Sequence, residues 1–267
     1  MFRPLLLIFF TVSASLAAGC KAPPAETSVR PSTASASPIS KEARPTSAPL
    51  DQAAGLGVTE VVTANGDPGA ELPLVVALHG LGDRGSSYIT LFTALPVAVR
   101  VVALDGPDAS GDGFSWFPRG ASLDRAGPGI TSAAARVAAA IRALRAARPT
   151  RGEPIVTGFS QGGAVSYALA LRHPDVVGAA IPIGGWLPRD AWPSPLPQKH
   201  PSILGLHGLD DTRVPVDSAR ELVEQLVRDG YPAELEVEPN VAHAVSRKER
   251  TRLFERIVAL TANERTP

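Results

Sequence analysis

The segment Gly158-Phe159-Ser160-Gln161-Gly162-Gly163 sets a serine among glycines, just after the apolar run Ile155-Val156-Thr157 and just before the Ala-rich stretch Ala164 to Leu171. Read as strand, sharp turn and helix, it is a G-x-S-x-G nucleophile elbow. A tight turn lifts the hydroxyl clear of its own backbone, and Gly158 and Gly162 lack the Cβ atoms that would keep strand and helix apart. The chemistry such a serine offers is acyl transfer. A hydroxyl is a weak nucleophile at neutral pH, so it needs a base within hydrogen-bond reach, and the base needs an orienting acid. The backbone N–H of Gln161, at the start of a helix whose dipole favours negative charge, is a candidate donor to the developing oxyanion.

Four histidines follow Ser160, at 173, 200, 207 and 243. His173 and His200 each precede a proline and read as surface residues. His207 precedes Gly208 at a strand end and reads as a packing residue. His243 falls between the last strand and the last helix, where the base belongs in the chain order serine, acid, histidine. The acid belongs in the loop Leu209-Asp210-Asp211-Thr212-Arg213-Val214-Pro215. Two aspartates compete there; the pattern D-x-x-V-P favours Asp211 and leaves Asp210 as a turn residue. A second oxyanion donor is expected from His79-Gly80-Leu81-Gly82-Asp83, through the N–H of Leu81, with Asp83 stabilising the loop.

The elements that must position these residues alternate. Candidate strands are Val58–Val62, Leu74–Leu78, Val99–Leu104, Ile155–Phe159, Val177–Ile183, Ile203–Leu206 and Leu235–Val237. Candidate helices are Ser86–Ala94, Ile130–Arg148, Gln161–Arg172, Asp217–Arg228 and Arg247–Ala259, the last preceded by a capping box of Ser246 and Glu249. The central strands are almost wholly apolar, as expected of parallel strands buried on both faces. This is an α/β chain with a doubly wound, mostly parallel sheet and its site at the carboxyl ends of the strands. Arg136, Arg142, Arg145 and Arg148 are expected on a solvated helix face opposite Val137, Ile141 and Leu144.

In the order His79-Gly80-Leu81-Gly82-Asp83, Gly158 to Gly163, Gly185-Trp186-Leu187-Pro188, Asp211-x-x-Val214-Pro215 and His243-x-x-Ser246, the chain resembles the phospholipase/carboxylesterase group of α/β-hydrolases, which includes the acyl-protein thioesterases. The resemblance spans roughly residues 70 to 260. It implies an α/β-hydrolase fold without a large cap domain, and a serine carboxylesterase that cleaves carboxylic esters, thioesters or lysophospholipids through an acyl-enzyme, without a cofactor. Ser160, Asp211 and His243 would be catalytic, Leu81 and Gln161 would form the oxyanion hole, and Trp116, Phe117 and Trp186 would contact substrate. Trp116 and Phe117 also admit a plain packing role. The chain departs from the group at Ala242, where glycine often precedes the histidine, and at Pro118, where an acid tends to follow the tryptophan–aromatic pair.

The first 19 residues have a signal-peptide layout: Arg3, an apolar run from Leu5 to Val12 too short to span a membrane, then small residues to Gly19. Cys20 is the one cysteine of the chain, and Ala17-Ala18-Gly19-Cys20 resembles a bacterial lipoprotein signal, in which the cysteine is lipidated. The expected arrangement is an envelope lipoprotein held at the membrane through Cys20, with an ordinary secreted protein as the alternative. Residues 20–54, rich in Pro, Ala, Ser and Thr, read as a disordered tether. Residues 55–267 read as one catalytic domain. Charge is balanced, with 26 basic and 26 acidic residues and no basic block, which argues against nucleic-acid binding. Zinc spacings are absent from the sequence, and no metal is expected.

Three rival readings use the same residues. Gly80-x-Gly82-x-x-Gly85, with Asp105 ending the next strand, matches the dinucleotide fingerprint, but Asp83 to Ser87 make a poor first helical turn. A non-catalytic envelope lipoprotein on a hydrolase scaffold is the second. A secreted polyester or aromatic-ester esterase using the same three residues is the third.

Overall fold

The computed structural model describes residues 50–118 and 122–263. Among the described residues, ten strands and five helices follow one another. They are β1 (Gln52–Ala53), β2 (Leu56–Val62), β3 (Leu72–Leu78), α1 (Gly85–Tyr88), β4 (Arg100–Leu104), β5 (Asp108–Ser110), β6 (Gly113–Ser115), α2 (Gly127–Ala147), β7 (Thr150–Phe159), α3 (Gln161–Arg172), β8 (Ala179–Ile183), β9 (Ser202–Gly208), α4 (Val216–Arg228), β10 (Ala233–Glu238) and α5 (Arg247–Asn263). Eight strands form one sheet in the order β1-β2-β4-β3-β7-β8-β9-β10. β2 runs antiparallel to β1 and β4; all pairs from β4 to β10 are parallel. β5 and β6 make a separate hairpin.

The apolar strands alternate their side chains between two helical layers. Leu74, Val76 and Leu78 of β3 pack with Val137 and Ile141 of α2, Val165 of α3 and Leu222 of α4. Val75 and Ala77 pack on the other side with Tyr88 of α1 and Leu253 and Ile257 of α5. A period of two with both faces covered is what a central parallel strand requires. Every expected strand is present, and Gln161–Arg172 has the expected bounds. The capping box of α5 also forms: the Glu249 N–H donates to Ser246 Oγ at 2.9 Å, and the Ser246 N–H donates to Glu249 Oε2 at 2.8 Å.

Four expectations need correction. The helix expected over Ser86–Ala94 is a short α1 followed by a 3-10 turn, Ile89–Phe92. Thr90 and Thr93 donate their hydroxyls to carbonyls three residues back, which competes with continued α-helix. β7 starts at Thr150, five residues early, because Gly152 and a bulge opposite Pro73 interrupt its apolar pattern. Arg148 is not on the solvated face: α2 ends at Ala147, Arg148 is extended, and its buried guanidinium pairs with Glu60 at 3.0 Å. Finally, β1 lies inside the stretch read as tether, with Ala53 buried and Leu50 packed on the core. The signal segment, Cys20 and the tether up to residue 49 lie outside the described residues.

Candidate active site

Ser160 sits between β7 and α3 with φ 56° and ψ −114°, a conformation that L side chains rarely adopt. The glycines around it are needed for close approach. A Cβ on Gly162 would lie 2.1 Å from the Leu78 carbonyl oxygen, and one on Gly158 would lie 2.5 Å from the Gly162 carbonyl carbon. The ends of β3 and β7 and the first turn of α3 therefore meet backbone against backbone. The Ser160 N–H donates to the Ile183 carbonyl at 3.0 Å, which ties the turn to the end of β8.

The loops after β9 and β10 bring the other two groups to it. His243 Nε2 lies 2.8 Å from Ser160 Oγ, and His243 Nδ1 lies 2.6 Å from Asp211 Oδ2. Asp211 is 5% exposed, and its other oxygen accepts the N–H groups of Arg213 and Val214, both at 2.9 Å. Those two bonds fix the carboxylate, so one oxygen is left for the imidazole. Asp210 is exposed and has no such contact. Gly208 makes the meeting possible: a Cβ there would lie 2.3 Å from the Val241 carbonyl oxygen in the histidine loop. With Ala242 in place of glycine, the histidine still reaches Ser160. His207 packs as expected, donating to the Val214 carbonyl at 2.8 Å.

The N–H groups of Leu81 and Gln161 have no acceptor among the described residues, so both are free to face an oxyanion. The loop bearing Leu81 is held by the neighbouring His79. With its Nδ1 donating to the Gly80 carbonyl at 2.6 Å, His79 accepts the Gly106 N–H on Nε2 at 3.0 Å. The hairpin β5–β6 braces the same loop, since the Gly82 N–H donates to the Phe114 carbonyl and the Phe114 N–H donates to the Asp83 carbonyl, both at 2.8 Å. Asp83 accepts the Arg84 N–H at 2.8 Å, a loop-stabilising role.

No local pattern announces that the Gln161 side chain staples the site. Its Oε1 accepts the Trp116 N–H at 3.0 Å, and its Nε2 donates to the Phe117 carbonyl at 3.1 Å. Gln161→Leu leaves both backbone groups buried and unpaired. At about 1–3 kcal/mol for each orphaned group, the unfolding free energy is expected to fall by about 3 kcal/mol, measured by urea denaturation. Trp116, expected against substrate, is 2% exposed and does not line the cleft; its Nε1 donates to the His79 carbonyl at 2.9 Å. Phe117 and Trp186 do line it, in edge-to-face contact with centroids 6.0 Å apart. The cleft around Ser160 has a volume of about 620 Å³, and its wall includes Leu81, Leu123, Phe159 and Val214.

Burial holds the imidazoles of His79 and His207 below their ordinary value, so folding favours their neutral form. The unfolded chain protonates them as pH falls below 6.5, while the folded chain resists until its own lower values are reached. Glu249, raised by burial, acts in the opposite sense, and Glu236, held low by Arg252, matters only in more acid solution. His173, also held low by its burial, acts with His79 and His207, and three imidazoles against one carboxyl predict a lower urea midpoint at pH 5.5 than at pH 7.5. Equal midpoints would contradict this.

The dinucleotide reading fails on the geometry of its own residues. α1 starts only at Gly85 and lasts four residues, and Asp105 Oδ1 is engaged by the Gly85 N–H at 2.7 Å. Among the described residues no three His, Cys, Asp or Glu side chains are grouped to hold a metal, and no helix is long and apolar enough to cross a membrane.

A mostly parallel eight-stranded sheet, helices on both faces and a serine on the strand–helix turn after β7 define an α/β-hydrolase. The described residues carry no large cap domain. The chain belongs to the phospholipase/carboxylesterase family, which matches residues 59–258. A probable carboxylesterase of Oryza sativa subsp. japonica is 29% identical over 195 residues, covering 66% of this chain and 73% of the relative. The crystal structure of esterase PE8 superposes with a TM-score of 0.67 at 25% identity, over 76% of this chain and 98% of that one. Acyl-protein thioesterase 2 of Zea mays shares the fold, with a TM-score of 0.59 at 20% identity over 76% of this chain and 97% of that one.

Proposed function

We propose that this chain is a serine carboxylesterase acting through an acyl-enzyme. The observation that carries this reading is His243, bridging Ser160 at 2.8 Å and Asp211 at 2.6 Å. Ser160 Oγ attacks the acyl carbonyl and passes its proton to His243 Nε2. Asp211 holds the Nδ1 proton in place and stabilises the imidazolium. The N–H groups of Leu81 and Gln161 take up the oxyanion, helped by the N-terminal dipole of α3. His243 then protonates the leaving oxygen or sulfur, and the alcohol or thiol departs. Water, deprotonated by the same imidazole, attacks the acyl-enzyme and releases the acid. An oxygen ester, a thioester and a lysophospholipid all present the same carbonyl to Ser160. No step draws on a cofactor, a metal or a nucleic acid. The reading includes export and attachment to a bacterial cell envelope through a lipid on Cys20, with release as a secreted enzyme as the alternative.

The test is hydrolysis of p-nitrophenyl esters from acetyl to decanoyl by the full-length protein beside its Ser160→Ala variant. Turnover that vanishes with the hydroxyl is the expected result. Turnover that survives the substitution overturns the assignment. No turnover by the folded protein across the series transfers the chain to the non-catalytic scaffold reading.

A further inference from the structure

Two further depressions flank the cleft around Ser160. Towards α4, a second depression of about 370 Å³ shares Leu123 and Trp186 with it and is lined by Leu187, Trp192 and Leu222. Towards α1 and α5, a third of about 390 Å³ shares Asp83 and Phe159 with it and is lined by Tyr88, Leu91 and Val245. The first wing belongs to the core layer of α2, α3 and α4, the second to the layer of α1 and α5. The wings therefore lie on opposite sides of the sheet, with Ser160, at the carboxyl end of β7, between them.

The central cleft alone is large enough for a simple ester, since pockets of roughly 300–1,000 Å³ enclose drug-sized ligands. The wings are surplus to such a substrate. We propose that the substrate is an oligoester, cut at an internal bond while its chain runs through all three depressions. This rests on the serine-esterase reading. Both wings offer aromatic and aliphatic side chains, which suit a hydrocarbon spacer. Hydrogen-bond donors stand among them, Ser87 and Arg250 on one side and Ser218 on the other, within reach of a chain whose ester carbonyls recur. One wall is already braced: the Arg189 guanidinium lies 4.7 Å over the Trp192 ring and pairs with Glu221 at 2.7 Å. The wing towards α1 and α5 carries one charge of each sign, Asp83 and Arg250, and the wing towards α4 carries Asp124, Asp190 and Glu221 against Arg189, so a polyanion is disfavoured and an uncharged chain is accommodated on both sides. The reaction is one hydrolysis: a single C–O bond breaks, one water is consumed, and a carboxylic acid and an alcohol remain on two shorter chains.

The probe is a series of end-capped 3-hydroxybutyrate oligomers carrying one to four ester bonds, given to the full-length protein. Binding energy from the remote units is expected to raise kcat/KM by about tenfold from the one-ester to the four-ester compound. Mass spectrometry of the first products is expected to show an internal cut. Thr90→Trp and Ser218→Trp, which plug the two wings, are each expected to shrink the four-to-one ratio. A ratio that stays flat with length, or cutting at the chain end only, overturns the oligoester assignment while one-ester turnover lost in Ser160→Ala keeps the esterase reading. A folded protein that leaves even the one-ester compound intact removes both.

Discussion

Replacing His243 with alanine is expected to lower kcat on a p-nitrophenyl ester by about 10,000-fold or more, as removing a triad histidine does in serine hydrolases. The reason is geometric. His243 Nε2 is the one base within hydrogen-bond reach of Ser160 Oγ among the described residues. Asp211→Asn is expected to cost a similar factor through a different route. One side-chain oxygen can still accept from Arg213 and Val214, so the amide nitrogen of asparagine faces His243 Nδ1. Two donors then oppose each other, the proton moves to Nε2, and the imidazole can no longer accept from serine. The double variant Ser160→Ala/His243→Ala is expected to be no slower than either single one, because the groups act as a unit. Single-turnover kinetics checks all three. A loss of only a few-fold in His243→Ala would mean another base serves Ser160.

Gly162→Ala is expected to be the costliest glycine-to-alanine change among the described residues. Its Cβ would stand 2.1 Å from the Leu78 carbonyl oxygen, and both partners are backbone. Overpacking typically costs about 1–3 kcal/mol where side chains can yield. Here β3 would have to separate from α3, so a loss of about 3 kcal/mol or more is expected, against a helix-propensity gain of about 1 kcal/mol for alanine over glycine. For a domain of this size the net loss, about 2 kcal/mol, lowers Tm by about 4 to 8 °C. Activity should fall further than stability, because the same displacement moves the Gln161 N–H and the Ser160 hydroxyl. Calorimetry and ester turnover on one preparation separate the two effects. An unchanged Tm would show that the approach of β3 to α3 can relax.

What was legible in the sequence was whatever a local pattern encodes. Leu74 to Leu78 and, Arg100 apart, Val99 to Leu104 are apolar on both faces, so they read as buried parallel strands without knowledge of their partners. Ser160 and His243 were placed by a turn motif and by chain order, and the D-x-x-V-P pattern separated Asp211 from Asp210. The residues that escaped are those whose role depends on a distant backbone. The Gln161 side chain has its partners 44 and 45 residues away. Trp116, conspicuous as an aromatic, is committed to the His79 carbonyl 37 residues away and so turns from the cleft. Gly208 has a neighbour in the histidine loop that no local pattern announces, although a glycine closing an apolar strand is a hint. The β5–β6 hairpin carries Asp108, Ser110 and Asp112 with little apolar alternation, and only its bonds to the Gly82 and Asp83 backbone give it a place.

The backbone of Ser160 has a further implication. At φ 56° the residue is held against its own preference, at a cost of order 1–3 kcal/mol, by the packed ends of the neighbouring strands. Glycine would sit there at no such cost. The most stable version of this protein is therefore not the reactive one. A laboratory population selected for thermal endurance alone should drift towards Ser160→Gly and lose its chemistry as it hardens. The hydroxyl persists at this position only for as long as something outside the fold requires it.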